Sequence, residues 1–264
     1  MLKPKHILIT GASSGIGAAL AELYAAPGVR LSLHGRNLAR LDEVREATEQ
    51  KGALVTIKAG DVVFTEAMTA WIDHCDRQQP IDLVIANAGI SAGSGGKPEN
   101  DSQARGIFAV NVTGVLNTVQ PAIPLMTKRR RGQIAIISSL ASFRGFPSAP
   151  AYCASKATAR IYGEALRAEL ASKGVEVNVV CPGFIKTPMT NVNDFPMPFI
   201  MTAARAAEII RKGLTHNRAR IAFPLRMYAL VRLVAALPQD WTAKMVIRMP
   251  RKSSSPLEGE DRKS

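Results

Sequence analysis

Tyr152 and Lys156 stand four residues apart in Tyr152-Cys153-Ala154-Ser155-Lys156. The segment predicts a helix, so both side chains leave the same face. A free phenol titrates at about 10 and is a poor proton donor or acceptor at neutral pH. A neighbouring ammonium stabilises the phenolate and fits the tyrosine for acid/base work on a carbonyl or alcohol. The spacing alone is common, and its weight depends on what surrounds it. Ser138 and Ser139 end an apolar run, where either hydroxyl suits a substrate oxygen beside the phenol. Their chemistry does not separate them.

A second constellation is the turn Thr10-Gly11-Ala12-Ser13-Ser14-Gly15-Ile16-Gly17. Glycines at this spacing let the backbone turn sharply and approach a pyrophosphate, and the free amides of the following helix face the phosphates. Gly35 is followed by Arg36, where NAD-selective sites often carry an acid for the ribose hydroxyls. An arginine pairs instead with a 2′-phosphate through charge-assisted hydrogen bonds. The expected cofactor is therefore NADP(H), with NAD(H) as the alternative. Asn87-Ala88-Gly89 offers an amide and a flexible turn to brace the pocket. Asn111 falls inside a predicted helix, where asparagine is mildly unfavourable.

The elements that must position these residues alternate along the chain. Strands are predicted at His6–Thr10, Val29–His34, Ala53–Lys58, Ile81–Ala86, Ile134–Ser138, Val175–Val180 and Arg220–Phe223. Helices are predicted at Ile16–Ala26, Leu38–Lys51, Thr65–Arg77, Gln103–Thr127, Tyr152–Ser172 and Thr202–Thr215, with Pro121 and Pro124 set to kink the fourth or end it early. Uninterrupted apolar strands alternating with helices imply an α/β single domain with a Rossmann-type doubly wound parallel sheet. Every motif above falls at the carboxyl end of a strand, where such sheets bind ligands.

Composition bounds the alternatives. The 264 residues are 47% hydrophobic, with no break dividing them. The net charge of +13 gathers in Lys128–Arg131 and in Arg226, Arg232, Lys244, Arg248, Arg251 and Lys252. Neither group has interleaved aromatics or a nucleic-acid motif, so a nucleic-acid partner is not expected. Cys75, Cys153 and Cys181 show no metal or disulfide spacing, which suits a reducing cytoplasm. No signal peptide is expected ahead of the first strand, and the apolar runs fall short of a membrane span.

Taken together and in order, the T-G-x-x-x-G-I-G turn, Asn87-Ala88-Gly89, Asn111, Ser139, Tyr152-x-x-x-Lys156 and Pro182-Gly183 with Thr187 resemble the short-chain dehydrogenase/reductase family. The resemblance covers roughly residues 5–190. It implies that Ser139, not Ser138, is the catalytic serine, and that Asn111 completes a tetrad with Tyr152 and Lys156 by holding a water in a proton relay. It implies adenine contact at Asp61 of Asp61-Val62, adenosine-ribose contact near Asn87, and carboxamide contact at Thr187. Arg36 stands where NADP-preferring members carry a basic residue, whereas Ser14 occupies a position that is basic in many of them. The implied reaction passes a hydride from nicotinamide to a carbonyl carbon while Tyr152 protonates the oxygen, Ser139 steadies it, and Lys156 holds the nicotinamide ribose. An epimerase or dehydratase using the same pair, and a dinucleotide-binding sensor, are the competing functions. The resemblance also implies a homodimer or homotetramer built through Gln103–Thr127 and Tyr152–Ser172.

The family places a substrate lid after Pro182-Gly183. Here residues 184–201 carry Phe184, Met189, Phe195, Met197, Pro198, Phe199, Ile200 and Met201, which suits an apolar ketone, aldehyde or acyl substrate. Beyond the main domain of residues 1–250, the tail 251–264 reads as a polar segment without packed structure. Within Pro224–Met249, Leu230, Leu233, Leu237 and Trp241 recur at helical spacing, with Pro238 interrupting. Packing on the body or a partner subunit is the favoured expectation for that helix, over peripheral contact with a membrane.

Overall fold

The structure, a computed structural model, describes residues 3–91, 99–147, 149–191, 196–238 and 240–241. Phe195 of the expected lid and the expected tail at 251–264 lie outside the described residues, as do Lys244, Arg248, Arg251 and Lys252.

Seven strands form one parallel sheet: β1 His6–Thr10, β2 Arg30–Gly35, β3 Leu54–Ala59, β4 Leu83–Ala86, β5 Gly132–Ile137, β6 Val175–Pro182 and, at the far edge, Arg220–Phe223. A separate parallel ribbon pairs β7 Ile185–Lys186 with β8 Met201–Thr202, so the far edge strand is β9. The order β3-β2-β1-β4-β5-β6-β9 reverses between β1 and β4, the switch point at which doubly wound sheets bind ligands. Cα register aligns Thr10 with His34, Ile9 with Ile85, Ile85 with Ala135, and Ile137 with Val180. The carboxyl ends of five strands therefore meet along one rim. The expected doubly wound fold is the observed one.

Strand residues alternate between two cores. Ile7, Ile9, Leu31, Leu33 and Ile85 pack under helices α1 (Gly15–Tyr24), α2 (Leu38–Glu49) and α9 (Ala203–Thr215). Leu8, Val84, Ile134 and Ile136 pack on the other face under α3 (Thr65–Gln78) and α7 (Pro150–Ala171). Alternation inside continuous apolar strands is what two covered faces require.

The helix expected over Gln103–Thr127 divides. α4 (Asp101–Phe108) opens on a capping box between Asn100 and Gln103, then loosens into a π-helical stretch at Ala109–Thr113. α5 (Gly114–Val119) follows, and α6 (Ala122–Lys128) restarts after the turn at Pro121. Pro121 supplies no amide to continue the ladder, while Pro124 sits in the first turn of α6, where none is needed. The run Asp101–Lys128 is long and apolar enough by composition to cross a membrane. Here Val110, Val115, Val119 and Met126 pack it into the core under the sheet.

The basic cluster at 128–131 is structural. The Arg129 guanidinium donates to both Asp76 carboxylate oxygens at 2.9 and 3.0 Å and to the Ile81 carbonyl, and Arg131 pairs with Asp82 at 2.7 Å. These contacts tie the approach to β5 onto the end of α3 and the approach to β4. Past β9, α10 (Leu225–Ala236) ends at Leu237, just before Pro238.

Candidate active site

The glycine turn is held from below by threonine and asparagine. Asn87 Nδ2 donates to the Thr10 and Gly11 carbonyls, both at 3.0 Å, and Thr10 Oγ1 accepts from the Asn87 and Ala88 amides at 3.2 Å. Gly11 and Gly15 adopt φ of +66° and +57°, the left-handed region that favours glycine. A Cβ on Gly17 would stand 2.2 Å from the Gly11 carbonyl oxygen and 2.7 Å from Asn87 Nδ2. The backbones at this crossing have no room for a side chain, and the Ser14 side chain does not cap α1. Free helix amides above a turn whose glycines leave its backbone bare form a cradle that fits a pyrophosphate. Gly17→Ala should therefore weaken binding of a reduced nicotinamide dinucleotide at least about tenfold, the cost of shifting an anion cradle by a few tenths of an ångström. Titration of nicotinamide fluorescence measures it, and wild-type affinity in the variant would overturn that reading.

At the neighbouring strand ends, Arg36 is exposed beyond β2, and Asp61 accepts from the Val63 amide at 3.2 Å. Val62 is buried against Gly114, whose Cβ would meet Val62 Cγ2 at 2.4 Å. His34, missed in the sequence, lies buried on the same rim with no partner for Nδ1 among the described residues. Burial pushes its pKa down to about 4 against the pull of the Asp61 carboxylate, so the ring is neutral at pH 7. Asn117 was missed as well, and its Nδ2 pins the Val62 and Val63 carbonyls at 2.9 and 3.1 Å.

The tyrosine and lysine meet the end of β5. Ser139 Oγ accepts from the Ala141 amide at 3.1 Å, lies 3.5 Å from the Pro182 carbonyl, and shares a hydrogen bond with Tyr152. Ser138, one residue earlier, faces away and donates to the Lys156 carbonyl at 2.7 Å. The two hydroxyls left equivalent by chemistry thus part at the pleat: one braces α7 and the other faces the phenol. Lys156 Nζ is buried, donates to the Ile137 carbonyl at 3.0 Å, and sits 6.0 Å from the Tyr152 ring centre. Gly89 closes over it, since a Cβ there would stand 3.0 Å from Lys156 Nζ and 3.2 Å from Asn111 Oδ1.

The electrostatics depart from the sequence expectation. Burial raises the Tyr152 phenol above its ordinary value, with the Ser139 hydrogen bond opposing it. Lys156 is itself lowered to about 8 by burial, with Cys181 a small counter-effect. Desolvation outweighs the Ser139 hydrogen bond, and the phenol keeps its proton at neutral pH.

Asn111 occupies the π-helical stretch, fully buried. Its Oδ1 accepts from the Ile90 amide at 2.8 Å, while Nδ2 donates to the Ile90 carbonyl at 2.9 Å and Ser155 Oγ at 3.0 Å. It fastens the chain after Gly89 to α7 at Ser155, the residue before Lys156. Glu99 does a parallel task unseen in the sequence, accepting from the Ala151 amide at 2.8 Å in the first turn of α7. Pro182-Gly183 ends β6 beside Ser139, and the Thr187 methyl would touch a Cβ on Gly15 at 2.9 Å, joining the glycine turn to the segment after β6. Thr187 lies between the β7–β8 ribbon and the short α8 (Pro188–Asn191). Along the segment linking Ser139 to Tyr152 runs an apolar cleft of about 510 Å³, lined by Phe143, Phe146, Pro147, Pro150, Cys153 and Ala157 among others.

Comparison with known proteins accords with this geometry. The family model described as short chain dehydrogenase matches residues 5–195. An uncharacterized oxidoreductase of Myxococcus xanthus is 38% identical over 232 residues, covering 88% of this chain and 92% of that protein. A 3-oxoacyl-[acyl-carrier protein] reductase with bound NAD from Brucella melitensis superposes with a TM-score of 0.71 at 28% identity, covering 83% and 89% of the two chains. A short-chain dehydrogenase from Sphingobium yanoikuyae in complex with NADPH shares the fold at a TM-score of 0.78 and 23% identity, over 98% of this chain and 99% of that one. By the family match and the extent of these likenesses, the chain belongs to the short-chain dehydrogenase/reductase family of oxidoreductases.

Proposed function

We propose that this protein is an NADP(H)-dependent oxidoreductase that interconverts an apolar carbonyl compound and its alcohol, with Tyr152 as the acid/base. The observation that carries the reading is the meeting of Ser139, Tyr152 and Lys156 on the rim that also holds the glycine turn. Gly11, Ser13, Ser14, Gly15, Ile16 and Gly17 would cradle the pyrophosphate. Asp61, Val62 and Asn87–Gly89 would border the adenosine, and Pro182, Gly183 and Thr187 the nicotinamide. Bound there, the cofactor supplies the hydride.

The protein's own groups do the rest. Ser139 donates to the substrate oxygen where negative charge develops. Tyr152, protonated at neutral pH, passes its proton to that oxygen during reduction and takes it back during oxidation. Lys156 holds positive charge behind the phenol, and Asn111 fixes the chain that covers it. The apolar cleft along the segment between Ser139 and Tyr152 supports an apolar substrate. The 3-oxoacyl reductase among the similar structures makes acyl carbonyls the first class to try. Three buried free thiols support a reducing, cytoplasmic setting. Oxidation of NADPH over a panel of carbonyls tests the function. Turnover of small polar sugars in preference to apolar carbonyls would refute the substrate class.

Cofactor choice rests on Arg36. The similar structures include one holding NAD and one holding NADPH, so the residue itself must decide. A charge-assisted pairing with the 2′-phosphate contributes roughly 1.5–3 kcal/mol, or about tenfold to a hundredfold in affinity. Arg36→Asp should raise KM for NADPH by that factor and leave NADH unchanged or improved. Equal KM values for NADPH in variant and wild type would remove Arg36 from the site.

A further inference from the structure

α10 is apolar apart from Arg226 and Arg232, and the fold covers only one of its arcs. One arc, with Met227, Tyr228, Val231 and Val234, turns toward the body. Its seat is fixed. The Tyr228 hydroxyl accepts from Arg220 at 3.0 Å, its ring packs 5.5 Å from Phe143, the Arg232 guanidinium lies 5.6 Å over the same Phe143, and Met227 backs Gly183. The opposite arc carries Leu225 (74% exposed), Leu230 and Leu233 (61%), and the chain beyond it adds Leu237 and Trp241 (75%). Large apolar side chains exposed together along one arc call for cover.

Charge identifies the cover. From Ile209 to Trp241 the sequence has six lysines and arginines and one acid, Asp240. A second copy of the chain would meet this arc across a two-fold axis and set Arg226 and its basic surroundings against themselves. Arg226 lies within the apolar arc at helical spacing from Leu230 and Leu233. A dry protein groove would bury that cation, whereas at a lipid surface its long stem lies on the acyl region while the guanidinium reaches the headgroups.

We infer that the outer arc of α10, with Trp241, docks the protein onto an anionic lipid bilayer. Leucines enter the boundary of the acyl region, and the Arg226 guanidinium reaches the phosphates. Met227 touches Gly183, next to the Pro182 carbonyl that faces Ser139. If the proposed function is correct, docking brings the catalytic mouth beside lipid-soluble carbonyls; the docking itself does not depend on it.

Flotation of the full chain with phosphatidylcholine vesicles, with and without phosphatidylglycerol, tests the inference. The protein should float with the anionic vesicles and fall away as salt rises. The double variant Leu230→Ser with Leu233→Ser should bind about tenfold more weakly, as should Arg226→Glu, with thermal melting and NADPH binding unchanged. These substitutions lie on an exposed face, so melting separates lost docking from lost folding. Absence of wild-type flotation, equal binding to neutral and anionic vesicles, or undiminished binding by the leucine variant would overturn the inference. So would an oligomer in vesicle-free solution that the leucine variant converts to monomer, because a second copy would then cover the arc.

Discussion

Tyr152→Phe should lower kcat/KM for carbonyl reduction by about a hundredfold to ten-thousandfold, the usual worth of a positioned acid in the transition state. The substitution removes one oxygen from a ring whose remaining contacts are intact, and it costs the hydrogen bond with Ser139. That loss amounts to about 1 kcal/mol, a shift of a few degrees in Tm. Affinity for NADPH should hold, because the cradle at Gly11–Gly17 does not involve the phenol. A fall in turnover with cofactor binding and Tm nearly unchanged therefore isolates proton transfer. Undiminished turnover would mean that another group donates the proton.

Lys156→Met should inactivate the enzyme and stabilise it in the absence of cofactor. Burial lowers the lysine from 10.5 to about 8, which corresponds to a folding cost of about 3 kcal/mol at neutral pH. Methionine has a similar length and no charge, but it forfeits the hydrogen bond to the Ile137 carbonyl. The net gain should be about 1–2 kcal/mol. Linkage gives the sign of the pH dependence. Below pH 8 the lysine is protonated in both folded and unfolded chains, and the full burial cost applies. Between pH 8 and 10.5 the unfolded chain holds the proton more strongly than the folded one, so wild-type stability rises and the gap narrows. Denaturant unfolding of both proteins at pH 7 and pH 10 measures this. A variant less stable than wild type at both values would show that Lys156 supports the fold rather than straining it. The two substitutions separate the roles: the phenol is nearly neutral for the fold, whereas the ammonium is held there against it.

The sheet was legible because fully buried strands leave unbroken apolar runs, and β1 and β9 fall on the residues expected of them. The site's chemistry was legible because glycines and short polar residues cluster at strand ends, where packing alone has no use for them. What escaped the sequence is local geometry. Asn111 reads as an awkward helix residue, and only the π-helical stretch explains why its side chain reaches Ile90 and Ser155. The raised phenol reflects how dry its surroundings are, which the spacing of a motif does not encode. Glu99 and Asn117 act on backbone groups 52 and 55 residues away, and no local pattern marks them. α10 presents the opposite case: its leucine periodicity was plain, but only the folded body reveals that Leu225, Leu230 and Leu233 remain uncovered.

The ribbon of β7 and β8 is two residues long on each side, yet it sets the mechanics of the region after β6. Pairing Ile185 with Met201 and Lys186 with Thr202 brings the two ends of the intervening chain within one strand spacing, about 4.8 Å. The chain between them is a closed loop hung from a clasp. Lengthening such a loop costs only about 0.6 kcal/mol per doubling. Insertions or deletions there stop at the clasp, and the glycine turn, Ser139 and Tyr152 stay where the main sheet holds them.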